Sequence, residues 1–206
     1  MGKGSLAIKI ADWFLNSDDF ELIKIVPVIP EPTWTNSLSS WAKKNQIPLV
    51  ESGNYEDLKN ICDNENKIDL VFSCFYDKII KEWFISKCTK IINLHNGPLP
   101  RYRGVRPINW ALKNNEIEHG VTIHEITNGI DDGPIISQIK YSIYPTFDEV
   151  EHVYNRAIEF AWTLFRETMP NLHKIEPREQ KNEFATYYSK NDNHLLGDRL
   201  DYNRNN

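Results

Sequence analysis

The chain has few cysteines, and their spacing is uninformative: Cys62, Cys74 and Cys88 are odd in number and form no Cys-x-x-Cys pair. That argues against a disulfide scaffold and a zinc ribbon, and fits reduced thiols acting as small apolar residues. No apolar run nears the roughly 20 residues that would span a bilayer. The start, Met1-Gly2-Lys3-Gly4-Ser5, has no apolar core followed by a small-residue cleavage site, so it does not read as a secretory leader. No excess of positive charge exists either: the net charge is −5, which lacks the basic footprint of a nucleic-acid binder. Together these absences point to a cytoplasmic protein that binds neither nucleic acid nor membrane, and to no metal.

What remains is an ordinary globular composition, 40% hydrophobic and 26% charged over 206 residues. A first helix is expected around Leu6, Ile10, Trp13 and Phe14, capped by Ser5. Residues 20–28 read as a β-branched strand, 36–45 as a helix, 48–51 as a short strand and 54–64 as a polar helix. The apolar run 68–74 has the pattern of a strand covered on both faces. A helix over 77–86 and a strand over 90–94 follow. This alternation predicts an α/β fold with an open, mainly parallel, Rossmann-like sheet. Gly2-Lys3-Gly4 would normally follow a strand and open a helix, yet nothing precedes it, so the first strand is apparently missing.

The second half differs. Pro107 suits the first turn of a helix running to residue 115. Strands are expected over 121–126 and 135–144, around a turn containing Gly129, Asp131, Asp132 and Gly133. The longest helix is expected from Thr146, with Glu149 completing a capping box and Val150, Val153, Ala157, Phe160 and Leu164 as its buried stripe. Residues 171–206 form a polar, small C-terminal appendage to a catalytic domain of 1–170, with 186–188 as one edge strand and a frayed end over 201–206.

In open α/β sheets, ligands bind beyond the carboxyl ends of the strands. Asn93 and His95 stand two apart at such an end and share a face. An amide beside an imidazole can hold a developing oxyanion and manage a proton. A carboxylate in the Gly-bracketed turn, Asp131 or Asp132, would orient the imidazole. His119 and His124 read as secondary, His124 either as structural or as a support behind the catalytic residues.

The text around these residues is distinctive. Asn93-Leu94-His95, then Leu99-Pro100-x-Tyr102-Arg103-Gly104, Pro107 and Trp110-Ala111-Leu112, resembles the folate-dependent formyltransferases. Gly120-Val121-Thr122-Ile123-His124 and Gly129-Ile130-Asp131-x-Gly133-Pro134 continue the likeness over roughly residues 2–170. The resemblance implies a catalytic trio of Asn93, His95 and Asp131, Asp131 being preferred because it precedes the x-Gly-Pro step. It also implies 10-formyltetrahydrofolate as formyl donor, held near Phe75 and Tyr76 and by the loop bearing Thr127, Gly129 and Asp132. Asn96-Gly97-Pro98 and the 102–107 stretch are similar to nucleotide-sugar N-formyltransferases, which formylate dTDP-4-amino-4,6-dideoxyhexoses for surface polysaccharide such as O-antigen. On that likeness Trp34, Tyr187 and Tyr188 are candidates to stack on the base. Lys3, Arg101 and Arg103, with Tyr102 between, are candidates to meet the phosphates. A homodimer is expected by analogy. The rival readings are glycinamide ribonucleotide or methionyl-tRNA formylation, or a truncated non-catalytic relative.

Overall fold

The computed structural model describes residues 1–60 and 68–200. The chain divides into two compact units, 1–93 and 94–206.

In the first unit, α1 (Gly4–Leu15) buries Leu6, Ala7, Ile10, Ala11 and Phe14 at helical spacing. Its N-cap is Lys3, with no side-chain capping bond, rather than the expected Ser5. The Ser5 N–H instead donates to Thr35 Oγ1 at 3.2 Å, which satisfies that first-turn amide from outside the helix. Helix α2 (Leu38–Lys44) is capped by Ser37, whose hydroxyl accepts from the Ser40 N–H. Strand β1 (Ile68–Cys74) has the length expected of it, and β2 (Cys88–His95) extends the expected strand at both ends. The two are neighbours in one sheet.

Several expected elements shrink. The strand over 20–28 is reduced to isolated parallel bridges at Ile25 and Pro27, and 48–51 to one bridge at Leu49. The helix over 54–64 begins as a 3-10 turn, Tyr55–Leu58, and residues 61–67, Cys62 among them, lie outside the described residues. Only the end of the 77–86 helix forms, as α3 (Glu82–Ile85).

The first strand is not wholly absent. Gly2 bridges Pro27 on one side and Cys74 on the other, both in parallel. Gly2 N donates to Val26 O, Cys74 N to Met1 O and Val28 N to Gly2 O. Residues 1–3 thus lie as a short extended segment between two parallel neighbours. Gly2 is required there: a Cβ would stand 2.0 Å from Cys74 O.

In the second unit, β3 (Arg103–Gly104) precedes α4 (Pro107–Lys113), which starts on Pro107 as expected. Strands β4 (Glu118–Glu125) and β5 (Ile135–Ser142) pair antiparallel, with a register shift at Ile123/His124. The sheet they belong to is therefore mixed, with β4 and β5 as its antiparallel pair. Helix α5 (Val150–Thr168) starts later than Thr146 because Glu149 is its N-cap, in a capping box with His152. Asp148 accounts for the shift: its carboxylate accepts the Tyr144 N–H at 2.8 Å and pairs with Arg156, tying residues 144–148 into a turn. One face of α5, including Val153, Ala157, Leu164 and Phe165, packs on β4 and β5. Strand β6 (Tyr187–Tyr188) lies parallel to β3. Residues 201–206 are outside the described residues.

Phe165 is fully buried, so Phe165→Ala is expected to cost about 3–5 kcal/mol of stability. Denaturant unfolding of the two proteins checks this.

Candidate active site

The site is built around the Asp131 carboxylate, in the second unit. β4 ends at Glu125, and the loop to β5 turns back through Asp131, whose φ of 50° is left-handed. Gly133 makes the return possible, since a Cβ there would stand 2.0 Å from Glu125 O. Asp131 Oδ2 lies 3.5 Å from His95 Nδ1 and accepts the Gly104 N–H at 2.8 Å. Its other oxygen, Oδ1, lies 3.5 Å from His124 Nε2.

His95, at the end of β2, is buried and donates from Nε2 to the Tyr102 carbonyl at 2.8 Å. His124 is also buried, and its Nδ1 donates to Glu125 O at 2.8 Å. Burial lowers the pKa of His95 from 6.5, and the nearby Asp131 charge only partly offsets that; His124 adds to the lowering. Burial works to raise the Asp131 pKa, but His95, His124 and the Gly104 N–H together hold it well below the ordinary carboxylate range. The arrangement is a neutral imidazole beside a fixed carboxylate, suited to taking a proton and stabilising the cation that results.

His119 stands apart from this pair. Its Nε2 donates to Asn96 O at 3.0 Å, and burial lowers its pKa to about 4, so it stays neutral as a packing residue. His124 takes the supporting place that its strand position allows: the β4–β5 loop brings Asp131 Oδ1 to 3.5 Å from its Nε2.

Sequence reasoning omitted Gln180. Its Nε2 donates to the carbonyls of Asp131 at 2.9 Å and Gly133 at 2.7 Å. Its Oε1 accepts from Arg103 Nε and Nη2 at 3.0 and 2.8 Å. A lone Gln in a polar tail carries no sequence signal. β6 supports the same loop: Arg103 N donates to Thr186 O and Val105 N to Tyr188 O, both at 2.9 Å. Gly104 permits this approach, a Cβ there meeting Tyr188 O at 2.1 Å.

The other candidates divide. Thr127 Oγ1 donates to Asp132 Oδ1 at 2.5 Å, and Gly129 N donates to Thr127 Oγ1, closing a tight turn. That turn exposes Asn128, Gly129 and Ile130. Arg101 pairs with Glu116 and Arg103 with Gln180 and Asn182, so both are tied into the loop. Tyr102 is 1% exposed and bonds Glu116 at 2.6 Å; its ring is packing rather than an open contact for a ligand. Tyr188 is stacked on Trp110 at 4.1 Å, whereas Tyr187 is exposed. In the first unit, Trp34 is 61% exposed and the Lys3 side chain half-buried. Phe75 adopts a left-handed φ of 59° directly after β1. Tyr76 donates to Gly53 O at 2.7 Å and accepts from Tyr55 N, and burial raises its pKa to about 12; its hydroxyl serves the 53–55 turn. Asn93 precedes His95 by two positions in β2. Among the described residues, no cluster of side chains is arranged to hold a metal ion, and no helix is long and apolar enough to cross a membrane.

A buried imidazole–carboxylate pair at the end of a strand can take up and release a proton, as acyl transfer to an amine requires. Residues 26–169 match the formyl transferase family model, and the chain belongs to that family. It is 34% identical over 166 residues to the bifunctional polymyxin resistance protein ArnA of Wigglesworthia glossinidia brevipalpis, covering 78% of this chain and 25% of the relative. It is 35% identical over 152 residues to a methionyl-tRNA formyltransferase of Pseudothermotoga lettingae, covering 72% and 48%. The chain thus spans a quarter and about half of these relatives' lengths. Among solved structures it is similar to an N-formyltransferase from Helicobacter canadensis in complex with folinic acid and dTDP-3-aminofucose: TM-score 0.79, 28% identity, 93% of this chain and 70% of that one.

Two outcomes test this site. Asp131 raises the His95 pKa, so Asp131→Asn is expected to lower that pKa further below 6.5, read by NMR titration of the ring; a rise would contradict the geometry. Gln180→Ala removes the clamp on the loop without touching an imidazole. It is expected to reduce kcat by about 10- to 100-fold, as loss of positioning does, while the thermal midpoint stays near that of the parent.

Proposed function

We propose that this protein transfers a formyl group from 10-formyltetrahydrofolate to the amine of a nucleotide-linked amino-dideoxyhexose. The observation that carries the reading is the His95–Asp131 pair, 3.5 Å apart and buried, at the carboxyl end of β2. Asn93 and His95 stabilise the negative charge that builds on the formyl oxygen as the amine attacks. The neutral His95 imidazole, its Nε2–H committed to the Tyr102 carbonyl, accepts the amine proton at Nδ1, the nitrogen that faces Asp131 at 3.5 Å and whose new charge that carboxylate stabilises. The bond from the formyl carbon to the folate nitrogen then breaks, and that nitrogen takes up a proton. Transfer is direct, with no acyl-enzyme.

The loop of Thr127, Gly129 and Asp132 would hold the pterin through main-chain groups; Phe75 and Tyr76 are the other candidates that the sequence resemblance offers for it. Folinic acid in the Helicobacter canadensis relative supports the donor, and its dTDP-3-aminofucose supports a dTDP-sugar acceptor. The sequence resemblance favours a 4-amino-4,6-dideoxyhexose, while that relative carries a 3-amino sugar, so the position of the amine is the variable to test. Tyr187 and Trp34, exposed aromatics, are the base-stacking candidates; Lys3, Arg101 and Arg103 remain the phosphate candidates. In this reading residues 1–170 form the catalytic domain and 171–206 an extension. The enzyme works in the cytoplasm as a homodimer, making precursors for surface polysaccharide such as O-antigen.

The test incubates purified protein and 10-formyltetrahydrofolate with dTDP-linked 3-amino and 4-amino dideoxyhexoses, with methionyl-tRNA in parallel. Mass spectrometry reads the gain of one CO. Formylation of a nucleotide sugar, lost in His95→Asn, is the expected result. Formylation of the tRNA alone would replace the sugar reading, and no transfer to any amine by folded protein would overturn both.

A further inference from the structure

A neutral imidazole has a single N–H to give, and His95 stands between two acceptors. Tyr102 O lies 2.8 Å from Nε2, and Asp131 Oδ2 lies 3.5 Å from Nδ1. A carboxylate is the stronger acceptor of the two. With the proton on Nδ1, however, a bare Nε2 would press its lone pair against a carbonyl oxygen at 2.8 Å. The place of that carbonyl therefore decides the tautomer, and the Nε2–H form is the one that leaves Nδ1 free to take a proton.

The carbonyl is held from the far end of its own side chain. Tyr102 has a φ of 61°, in the left-handed region that a bulky residue occupies only when its surroundings over-determine it. Its N–H donates to Thr186 Oγ1 at 2.7 Å. Its hydroxyl donates to Glu116 Oε1 at 2.6 Å and accepts from Asn114 Nδ2, at the C-cap of α4, at 3.2 Å. The ring is buried, stacked beside Tyr188 with centroids 5.9 Å apart, and meets the His119 ring edge-on at 6.0 Å. Arg101 pairs with the same Glu116 carboxylate. Burial works to raise the Glu116 pKa, but the Tyr102 hydroxyl and Arg101 hold it below the ordinary carboxylate range, so it remains an ionised acceptor. All of these groups belong to the second unit.

We propose that Tyr102 is a positioning residue that sets the tautomer of His95. Glu116 and Asn114 hold its side chain, the side chain holds the left-handed backbone, and the backbone carbonyl keeps the imidazole proton on Nε2. Released from Glu116, the backbone can relax out of the left-handed region and take the carbonyl with it. Asp131 then becomes the better acceptor and draws the proton to Nδ1, where it blocks the base. The catalytic consequence rests on the reading of His95 as the group that takes the amine proton; the place of the ring proton does not.

The test is nitrogen NMR of the full chain with isotopically labelled histidine, at neutral pH, where burial keeps His95 uncharged. Comparison with His95→Asn identifies its signals. In the parent, Nε2 is expected to carry the proton and Nδ1 to be bare. Tyr102→Phe keeps the ring and removes the hydroxyl. It is expected to bring in a population protonated on Nδ1 and to lower kcat by about tenfold, with KM changed by less than about twofold. Glu116→Ala is expected to move the proton in the same way. Glu116→Gln, which keeps an acceptor for the hydroxyl, is expected to retain the parent's nitrogen signals. A merely structural role would lower the thermal midpoint without moving the proton. A parent already protonated on Nδ1, or parent-like nitrogen signals in Glu116→Ala, would overturn the proposal, and the Glu116 variants decide it even where Tyr102→Phe fails to fold. The signals are read without folate or amine, so a protein that formylates nothing would still report them.

Discussion

One carboxylate organises the second unit. Asp131 faces two imidazoles and a peptide N–H, and each contact comes from a different piece of chain: His95 from β2, His124 from β4 and Gly104 from β3. Burying an ionised carboxylate is costly unless its oxygens find donors. The loop geometry follows from that demand. The left-handed turn at Asp131, the glycine at 133 and the glycine at 104 all serve to bring backbone close enough to satisfy one side chain.

The charge has an opposite effect on its neighbours. His95 would be strongly discouraged from protonation by burial alone, and Asp131 partly restores its basicity. A base that must hold a proton briefly and release it needs this intermediate condition. His124, with its other nitrogen committed to Glu125 O, presents an edge to the same carboxylate and so fixes where the negative charge points. The two rings stand nearly perpendicular, at 83°, on either side of it.

Much of this was legible in the sequence, for physical reasons that can be named. The continuous apolar run of β1, the Asn-x-His spacing at the end of β2 and the glycines around Asp131 all reflect local constraints, and local constraints leave local patterns. The start of α5 was misplaced by three residues because Thr146 and Glu149 have the right types for a capping box, while the Tyr144–Asp148 turn that displaces it rests on a side-chain bond with no periodic signature. Residues 20–28 have strand composition but pair only through isolated bridges at Ile25 and Pro27, and the ladder they form depends on partners distant in sequence. Gln180 was invisible: its role arises from contacts 47 and 49 positions away in the chain, to Gly133 and Asp131.

The parallel pairing of β3 with β6 also has a temporal meaning. Tyr102 N donates to Thr186 Oγ1 across 84 positions of sequence. Chains are made from the amino end, and early segments fold as they emerge. The imidazoles and the carboxylate are therefore synthesised well before the segment that braces them. A ribosome-bound chain that has emerged only as far as the 131 loop carries these side chains and still lacks the β6 brace, which docks on β3 only after a further stretch of about 50 residues is made.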